Sequence, residues 1–403
     1  VGNNTKYITI VLGTTLTGNA NSISIGHENL QGAYIAQREF NDQALSHGGV
    51  SLRLLIANSG SKPQNASQVA DQIVQLAQQD KTIVGVMGWT LSAQTLAAIT
   101  QLSRAHIPVV SMAAADNLSD ISNYFFRVGN PARIQANVGA QYAVNTLKAK
   151  SAVIFVDTTN DYSRNMADDF KANFTSIGGS IIGIEHYTTG DATANLERLT
   201  TGTQDALQKH PDVIYFPGYP ADASVLLQHM KPSDPAVLGG DALYEPGDYT
   251  GVPVSNLSHL HLTAQAHADE WDILKLAAHK PVFFKEYQQT FTAGSTQSTR
   301  PTSGTMLAYD ATQTLLQASK LSLKNAYPIT GIDMQRNLTA LSGPNAFQGV
   351  TGQIAFGHDG NPINRTVTVV CNKGGLFRMD LLVGQLLLNG PILTKYPARS
   401  VCA

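Results

Sequence analysis

The sequence is poor in charge and has no long apolar run. Charged residues make up 14% of its 403 residues, and the formal net charge is -2. The chain therefore has no strong field to attract phosphate backbones or anionic lipids, which argues against nucleic acid and membrane surfaces as partners. The apolar run from Leu381 to Leu388 is interrupted by Gly384 and Gln385 and is far shorter than a bilayer span. We therefore expect no membrane-spanning segment.

Cysteine is also scarce, since only Cys371 and Cys402 occur, both near the C-terminus. We interpret them as a disulfide, which would stabilise the fold by roughly 3 to 4 kcal/mol on the chain-entropy model. A disulfide indicates an oxidising, extracytoplasmic compartment. The alternative is two unrelated buried thiols.

Motifs of the common enzyme classes are missing as well. His27-Glu28 resembles the start of a zinc-protease helix, but Gln31 stands where the second histidine is required. There is no Gly-x-Ser-x-Gly elbow, no P-loop lysine and no Gly-x-Gly-x-x-Gly after the first predicted strand. His259-x-His261 is the only close histidine pair, and no cysteine accompanies it in the sequence. We therefore expect no enzyme activity, no metal site and no cofactor.

The sequence does contain a regular alternation of strand and helix patterns. Apolar, β-branched strands alternate with helical apolar spacing, which predicts a parallel sheet with helices on both faces. The same rhythm restarts at Ser151, which predicts a second α/β lobe. The predicted strands are Tyr7–Gly13, Leu52–Ile56, Thr82–Gly88 and Pro108–Met112 in the first lobe, and Ala152–Asp157, Ser180–Glu185 and Asp212–Phe216 in the second.

The connecting and late segments are less regular. Phe126 to Arg133 contains Gly129, Asn130 and Pro131, which favours a crossover segment and makes it a candidate hinge. After about residue 262 the pattern is mostly helical. The strand-like segments Gly352–Phe356 and Thr366–Cys371 cannot be placed from periodicity.

Polar residues follow several predicted strands, where ligands bind in open parallel sheets. Ser92 opens a helix, and its hydroxyl together with the unpaired N–H groups of the first turn can hold a carboxylate, although a simple cap is the alternative. The small residues Ala113 to Ala115 follow the next strand and let a ligand approach the backbone. Asp241 can pair with a ligand ammonium, although a solvated loop aspartate is the commoner outcome.

Three tyrosines stand in comparable loops or late helices, namely Tyr162, Tyr219 and Tyr309. Aromatic walls with polar tips suit a closing cleft. The alternative for each of them is a half-buried core residue.

These positions resemble type I periplasmic binding proteins, in particular the leucine/isoleucine/valine-binding branch that serves ABC importers. The match extends nearly from end to end, and it depends on the order and spacing of its motifs together. They are Ile8–Gly13 with Gly18, Gly32-Ala33 before Asn41, Ile107–Ser111, Phe125–Arg127, Asp161–Ser163 and Ala308–Ala311.

The resemblance implies two Rossmann-like lobes joined by three crossover segments, with a ligand cleft between them. Lobe 1 would comprise residues 1–129 plus about 263–360, and lobe 2 residues 130–262 plus about 361–403. The ligand carboxylate would lie on Ser92, Ala113 and Ala115, and its ammonium on Asp241 and Ala113. The cleft walls implied are Ile25, Trp89, Leu91, Asp116, Tyr162, Tyr219 and Tyr309.

Two departures from the family pattern affect specificity. Ala115 replaces a common threonine, so one hydroxyl contact is lost unless Asp116 or water supplies it. Trp89 is larger than usual and would shrink the pocket or stack on a ring. The family's disulfide, when present, lies elsewhere, so it lends no support to the pairing of Cys371 with Cys402.

We therefore expect a monomeric, extracytoplasmic solute-binding protein, periplasmic or lipid-anchored at the cell surface. It would close by a hinge on an α-amino acid and deliver this ligand to an ABC permease. The alternatives are a binding protein for aromatic carboxylates or small amides, and a ligand sensor of the same fold.

Overall fold

A computed structural model describes residues 6–47, 49–188, 192–244, 249–291, 300–324 and 327–402. The chain divides into two compact units, each assembled from separate segments. Unit 1 contains Val1–Asn130, Trp271–Arg365 and Gln385–Pro391. Unit 2 contains Pro131–Glu270, Thr366–Gly384 and Ile392–Ala403.

Strands and helices alternate along most of the chain. The strands are β1 (Tyr7–Thr14), β2 (Ser51–Asn58), β3 (Ile83–Met87), β4 (Val109–Ser111), β5 (Phe125–Arg127), β6 (Ser151–Asp157), β7 (Ser180–Tyr187), β8 (Val213–Phe216), β9 (Ala236–Gly239), β10 (Leu260–Ala264), β11 (Phe347–Gly349), β12 (Gly352–Ile354), β13 (Val367–Lys373) and β14 (Leu376–Val383). The helices are α1 (Ala20–His47), α2 (Pro63–Gln79), α3 (Ser92–Arg104), α4 (Ala132–Asn145), α5 (Asp161–Ser176), α6 (Ala192–Gln208), α7 (Pro220–Gln228), α8 (Val254–Leu257), α9 (Glu270–Ile273), α10 (Phe283–Phe291), α11 (Ser303–Leu323) and α12 (Gly331–Thr339).

Unit 1 is built on a parallel sheet in the order β2-β1-β3-β4-β5. Successive side chains of β1 point to opposite faces, so Ile10 packs into one core and Val11 into the other. Helices α1, α11 and α12 supply the first core, and α2 and α3 supply the second. Both faces are covered, as the continuous apolar strands predict.

Unit 2 has a mixed sheet in the order β14-β13-β10-β9-β8-β6-β7. The strands from β7 to β10 are parallel, and β13 and β14 extend the sheet as an antiparallel pair next to β10. The core contains Phe155, Phe216, Leu226 and Leu262, which come from strands and from α7. The α/β class expected for both lobes is thus confirmed.

The late segments that periodicity could not place belong to different units. Gly352–Ile354 pairs with β11 as a short hairpin in unit 1, whereas β13 joins the sheet of unit 2. Cys371 in β13 is bonded to Cys402, so the expected disulfide is formed.

The segment limits of the two units differ from those expected. Residues 263–270 lie in unit 2, because β10 runs to Ala264 and pairs there with β13. Residues 361–365 lie in unit 1, where Asn361 bonds to Arg127 and Arg365 pairs with Asp310. Besides the passages after residues 130, 270 and 365, the chain passes between units twice more, after residues 384 and 391.

No helix in the part of the chain that the structure describes is long and apolar enough to span a bilayer.

Candidate functional site

Ser92 is the first residue of α3, so its backbone belongs to the turn whose N–H groups lack partners within the helix. The capping position is Leu91, which offers no side-chain hydrogen bond. The Ser92 Oγ instead accepts a hydrogen bond of 3.1 Å from the Ala115 N–H. Ser92 therefore does not cap its helix, and its hydroxyl proton, which the described residues leave without an acceptor, can be donated to a ligand.

The loop after β4 is held by hydrogen bonds on both sides of its backbone. The Ala113 N–H donates to Ser111 Oγ at 3.0 Å, and the Ala115 N–H donates to Ser92. Their carbonyls accept from one guanidinium nitrogen of Arg127, at 3.2 Å for Ala113 and 2.8 Å for Ala115. The N–H groups expected for a ligand carboxylate are therefore engaged within the chain.

Arg127 also weighs against the ammonium contact expected at Ala113. One lone pair of the Ala113 carbonyl already accepts from the guanidinium. A ligand ammonium at the same oxygen would be repelled by that positive charge. The ammonium contact at Ala113 stays a prediction, and Asp241 is the residue whose setting favours an ammonium more.

Trp89 is fully buried rather than placed as a wall residue. Its Nε1–H donates to Ser59 Oγ at 2.9 Å, and its side chain is 1% exposed. A Cβ added at Gly13 would come within 2.7 Å of the indole, so the ring fills the space that this glycine leaves. Ile25 is also buried, and Leu91 is half-buried. The indole contributes to the core below the loop, and the expected stacking on a ligand ring is not supported.

Tyr309 lies in the packing of α11 against α1 and α10. Its hydroxyl donates to Glu39 at 2.6 Å, and its ring lies 4.7 Å from that of Phe283. Burial and the neighbouring Glu39 raise the pKa of Tyr309, which keeps it a donor. These contacts support its alternative reading as a half-buried structural residue. Asp116 is half-buried and opens the short 3-10 helix Asp116–Leu118.

In unit 2, Asp241 follows β9 and opens the 3-10 helix Asp241–Leu243. Its carboxylate accepts from Tyr162 Oη at 2.7 Å and from Gln265 Nε2 at 3.1 Å. Its backbone N–H donates to Gln135 Oε1 at 3.3 Å. The residue is half-buried as a whole, but burial of its carboxylate raises its pKa, and the hydrogen bonds it accepts only partly offset this effect.

No lysine, arginine or histidine among the described residues forms an ion pair with Asp241. The partners of its carboxylate are neutral donors. A buried carboxylate of this kind is stabilised most by a cation that can approach it. The alternative of a solvated loop aspartate is not supported.

Two helix starts place the tyrosines of unit 2. Asn160 caps α5 by accepting from the Ser163 N–H, so Tyr162 lies in the first turn beside Asp241. Tyr219 immediately precedes Pro220, which tolerates the first helical position because it needs no N–H partner there. The two tyrosine rings lie 6.3 Å apart, and Asn160 Nδ2 reaches the Tyr219 hydroxyl at 3.4 Å.

The structure thus brings together two sets of predicted residues, each within one unit. Ser92 and the Ala113–Ala115 loop lie together in unit 1, and Asp241, Tyr162 and Tyr219 lie together in unit 2. Sequence patterns predicted no role for Arg127 or Gln265. For Arg127, the signal that could have indicated a role is a charged residue at the end of the otherwise apolar strand Phe125–Arg127.

A histidine, a cysteine and an aspartate also approach one another in unit 2. His261, Cys371 and Asp380 have atoms within 4.8 Å of one another. The Cys371 sulfur is bonded to Cys402, however, and so is not available as a thiolate ligand. Burial lowers the pKa of His261 to about 4, so this histidine is neutral beside Tyr142. The cluster is a structural one in this disulfide-bonded chain.

The comparison with protein families and the comparison with solved structures agree with each other. A family model described as periplasmic binding protein matches residues 7–375. No curated protein matches the sequence. A leucine-binding protein, LivK, from Thermotoga maritima is 21% identical, with a TM-score of 0.77 and coverage of 94% of this chain and 99% of that chain.

Two further solved structures carry named ligands. LivJ from Streptococcus pneumoniae, a branched-chain amino-acid transporter substrate-binding protein in complex with isoleucine, is 22% identical, with a TM-score of 0.78 and coverage of 94% of this chain and 100% of that chain. A solute-binding protein from R. palustris in complex with benzoate is 15% identical, with a TM-score of 0.73 and coverage of 96% of this chain and 99% of that chain.

Proposed function

The chain belongs to the periplasmic binding protein family, and we propose that it is the solute-binding component of an ABC importer for an α-amino acid. Membership in this family implies an extracytoplasmic location, and the disulfide between Cys371 and Cys402 suits an oxidising compartment. The proposal includes a permease in the membrane as the partner and a monomeric binding protein. It includes no catalysis, since the sequence offers no nucleophile, metal or cofactor motif.

The observation that carries the amino-acid proposal is the setting of Asp241. Its carboxylate is enclosed, receives hydrogen bonds from Tyr162 and Gln265, and has no cationic partner among the described residues. A ligand ammonium would supply the missing charge and would gain a charge-assisted hydrogen bond. Tyr219, next to Tyr162, offers an aromatic wall beside that position.

Unit 1 supplies the features that a carboxylate needs. The Ser92 hydroxyl has a proton to donate, and the first turn of α3 has N–H groups that no side chain caps. Anions are stabilised at such helix starts by the unpaired N–H groups and by the helix dipole. We call Ser92 with the Ala113–Ala115 loop the carboxylate half-site, and Asp241 with Tyr162 and Tyr219 the ammonium half-site. In this proposal one zwitterionic ligand engages both half-sites, and hinge closure removes it from water.

The relatives give a reason to include branched-chain amino acids first. Leucine and isoleucine appear in the descriptions of two structural relatives, and benzoate in that of a third. Benzoate lacks an ammonium, so a chain that bound it would leave Asp241 without a counter-charge. Aromatic carboxylates and small amides are therefore the second candidate class.

A thermal-shift screen tests the proposal. The probes are L-leucine, L-isoleucine, L-valine, L-phenylalanine and benzoate, each at a concentration series up to saturation. A ligand at a hundred times its Kd stabilises the folded protein by roughly 2.7 kcal/mol. We expect a shift with at least one amino acid and none with benzoate. A shift with benzoate alone would replace the amino-acid proposal by the second class.

The same fold can also serve a sensor, in which the closed form signals to a receptor. Transport assays separate the two roles, because an importer component restores uptake of the ligand in cells that contain its permease. A sensor binds the same ligand without supporting uptake.

A further inference from the structure

Arg127 donates hydrogen bonds to two backbone carbonyls of the loop that follows β4. We infer that it is a positioning residue of the carboxylate half-site, and that it directs the Ala114 N–H toward the ligand as a donor. This inference rests on the proposed function for the identity of the ligand. The backbone N–H groups expected to bind the ligand carboxylate are then those of Ala114 and Ser92, in place of those of Ala113 and Ala115.

The guanidinium is completely buried and makes several hydrogen bonds. One terminal nitrogen donates to the carbonyls of Ala113 and Ala115, at 3.2 and 2.8 Å. The other terminal nitrogen donates to Ser119 Oγ at 2.7 Å, and Nε donates to Asn361 Oδ1 at 2.7 Å. Because Arg127 is 0% exposed and held at three nitrogens, the positions of both carbonyls are fixed.

Peptide geometry carries this constraint to the next residue. In a trans peptide the C=O and N–H bonds of one peptide unit point in opposite directions. The Ala113 carbonyl points to Arg127, so the N–H of the same peptide unit, which belongs to Ala114, points away from it. Among the described residues this N–H has no hydrogen-bond acceptor.

The neighbouring N–H groups are already used. Ala113 N–H donates to Ser111, and Ala115 N–H donates to Ser92. Ser111 is itself fixed, because its hydroxyl donates to the Trp89 carbonyl at 2.6 Å. A buried N–H without a partner is costly, and an anionic acceptor satisfies it best. Ala114 is 5% exposed, so its N–H is the donor that a carboxylate reaching this loop would satisfy.

The charge of Arg127 favours an anion at this loop, as the geometry of the loop does. The positive guanidinium lies on the carbonyl side of the loop and polarises both peptide units, which strengthens their N–H groups as donors to an anion. The same charge opposes a ligand ammonium at this loop. Arg127 therefore favours one orientation of a zwitterion, with the carboxylate on unit 1.

Arg127→Lys is the main test, because lysine keeps the charge but lacks the fork that holds two carbonyls. Arg365→Lys is the matched control, since Arg365 is also a buried arginine of unit 1 that binds two carbonyls, those of Gly352 and Gln353. Calorimetry with L-leucine and L-leucinamide measures the preference for a carboxylate over a neutral amide. Hydrogen exchange measures protection of residues 113–116 without any ligand.

We expect Arg127→Lys to weaken L-leucine binding about tenfold or more while changing L-leucinamide binding less than threefold, and to lower protection at residues 113–116. Arg365→Lys should keep the wild-type ratio of L-leucine affinity to L-leucinamide affinity, and the wild-type protection of residues 113–116. An unchanged ratio and unchanged protection in Arg127→Lys would overturn the inference. If Arg127→Lys does not fold, Asn361→Ala, which removes one anchor of the guanidinium, should show the same loss of protection in smaller measure.

The outcomes also separate this inference from the proposed function. A wild-type protein that binds no amino acid contradicts the proposed function. The positioning role is then decided by hydrogen exchange alone, since loss of protection in Arg127→Lys supports it and retained protection refutes it.

Discussion

Replacing Asp241 by asparagine removes a charge while keeping the size of the side chain. The asparagine oxygen can still accept from Tyr162, but the negative partner for a ligand ammonium is lost. Breaking one side of an enclosed, hydrogen-bonded charge pair costs about 2 to 5 kcal/mol. At about 1.4 kcal/mol per tenfold, the affinity for an amino acid should fall roughly 30-fold to several thousand-fold.

The same substitution should not destabilise the protein without ligand. Burial raises the pKa of Asp241 above its unfolded value, so the folded state binds this proton more tightly, and the ionised carboxylate costs stability at neutral pH. Asparagine removes that cost. We therefore expect the Tm of the unliganded variant at pH 7 to equal or exceed that of the wild type.

Thermal shift and calorimetry together provide the assay. For a chain of 403 residues, the roughly 2.7 kcal/mol gained from a ligand at a hundred times its Kd should raise the Tm of the wild type by about 3 °C, and Asp241→Asn should gain almost nothing. Asp212→Asn is the control, because that aspartate precedes β8 at the opposite end of the strands and accepts from the Lys150 and Ser151 N–H groups. Retained amino-acid affinity in Asp241→Asn would contradict the role of this carboxylate as the ammonium partner, and a fall in the unliganded Tm would contradict the cost assigned to its charge.

Three further expectations follow from single contacts. Tyr162→Phe removes the 2.7 Å hydrogen bond to Asp241 and should weaken amino-acid binding roughly tenfold in calorimetry. Tyr215→Phe removes a buried hydroxyl that has no hydrogen-bond partner among the described residues, and it should leave the affinity unchanged. Cys371→Ser with Cys402→Ser opens a crosslink of sequence separation 31 and should lower the free energy of unfolding in denaturant by about 3 to 4 kcal/mol; an unchanged value would contradict the chain-entropy account. Burial lowers the pKa of His261 from 6.5 to about 4, so the unfolded chain binds this proton first, and the free energy of unfolding should fall as the pH drops from 6.5 toward 4. In urea unfolding, His261→Gln should make the free energy of unfolding depend less on pH in this range. An equal pH dependence in the variant and the wild type would contradict this expectation.

The sequence predicted the fold well where the apolar pattern is local. β1, β3 and β6 are short runs of apolar and β-branched residues between loop signals, so their existence follows from nearby residues alone. β12 is only three residues long, and β11, its partner in the hairpin, is equally short, so neither shows a periodic pattern. β13 is apolar, but besides the adjacent β14 it pairs with β10, which lies far earlier in the chain. Periodicity could not tell that one forms a hairpin and the other joins unit 2.

The candidate site shows the same limit at the level of side chains. The position of Asp241 after a predicted strand indicated that its side chain lies at a strand end. No sequence pattern indicated that Gln265 donates a hydrogen bond to it, and only the structure shows this contact. Arg127 reaches Asn361 across 234 residues of sequence, a distance that no local pattern reports. The family resemblance implies Trp89 as a wall residue, whereas the absence of a Cβ at Gly13 gives its ring a place in the core.

In the proposed function, one ligand is recognised by its carboxylate at Ser92 and by its ammonium at Asp241. Calorimetric titration with three molecules of one shape tests it directly, namely L-leucine, L-leucinamide and 4-methylpentanoate, which lacks the amino group. We expect L-leucine to bind at least about a hundredfold more tightly than either analogue, since each analogue leaves one charged contact unmade. Binding of 4-methylpentanoate as tight as that of L-leucine would contradict it.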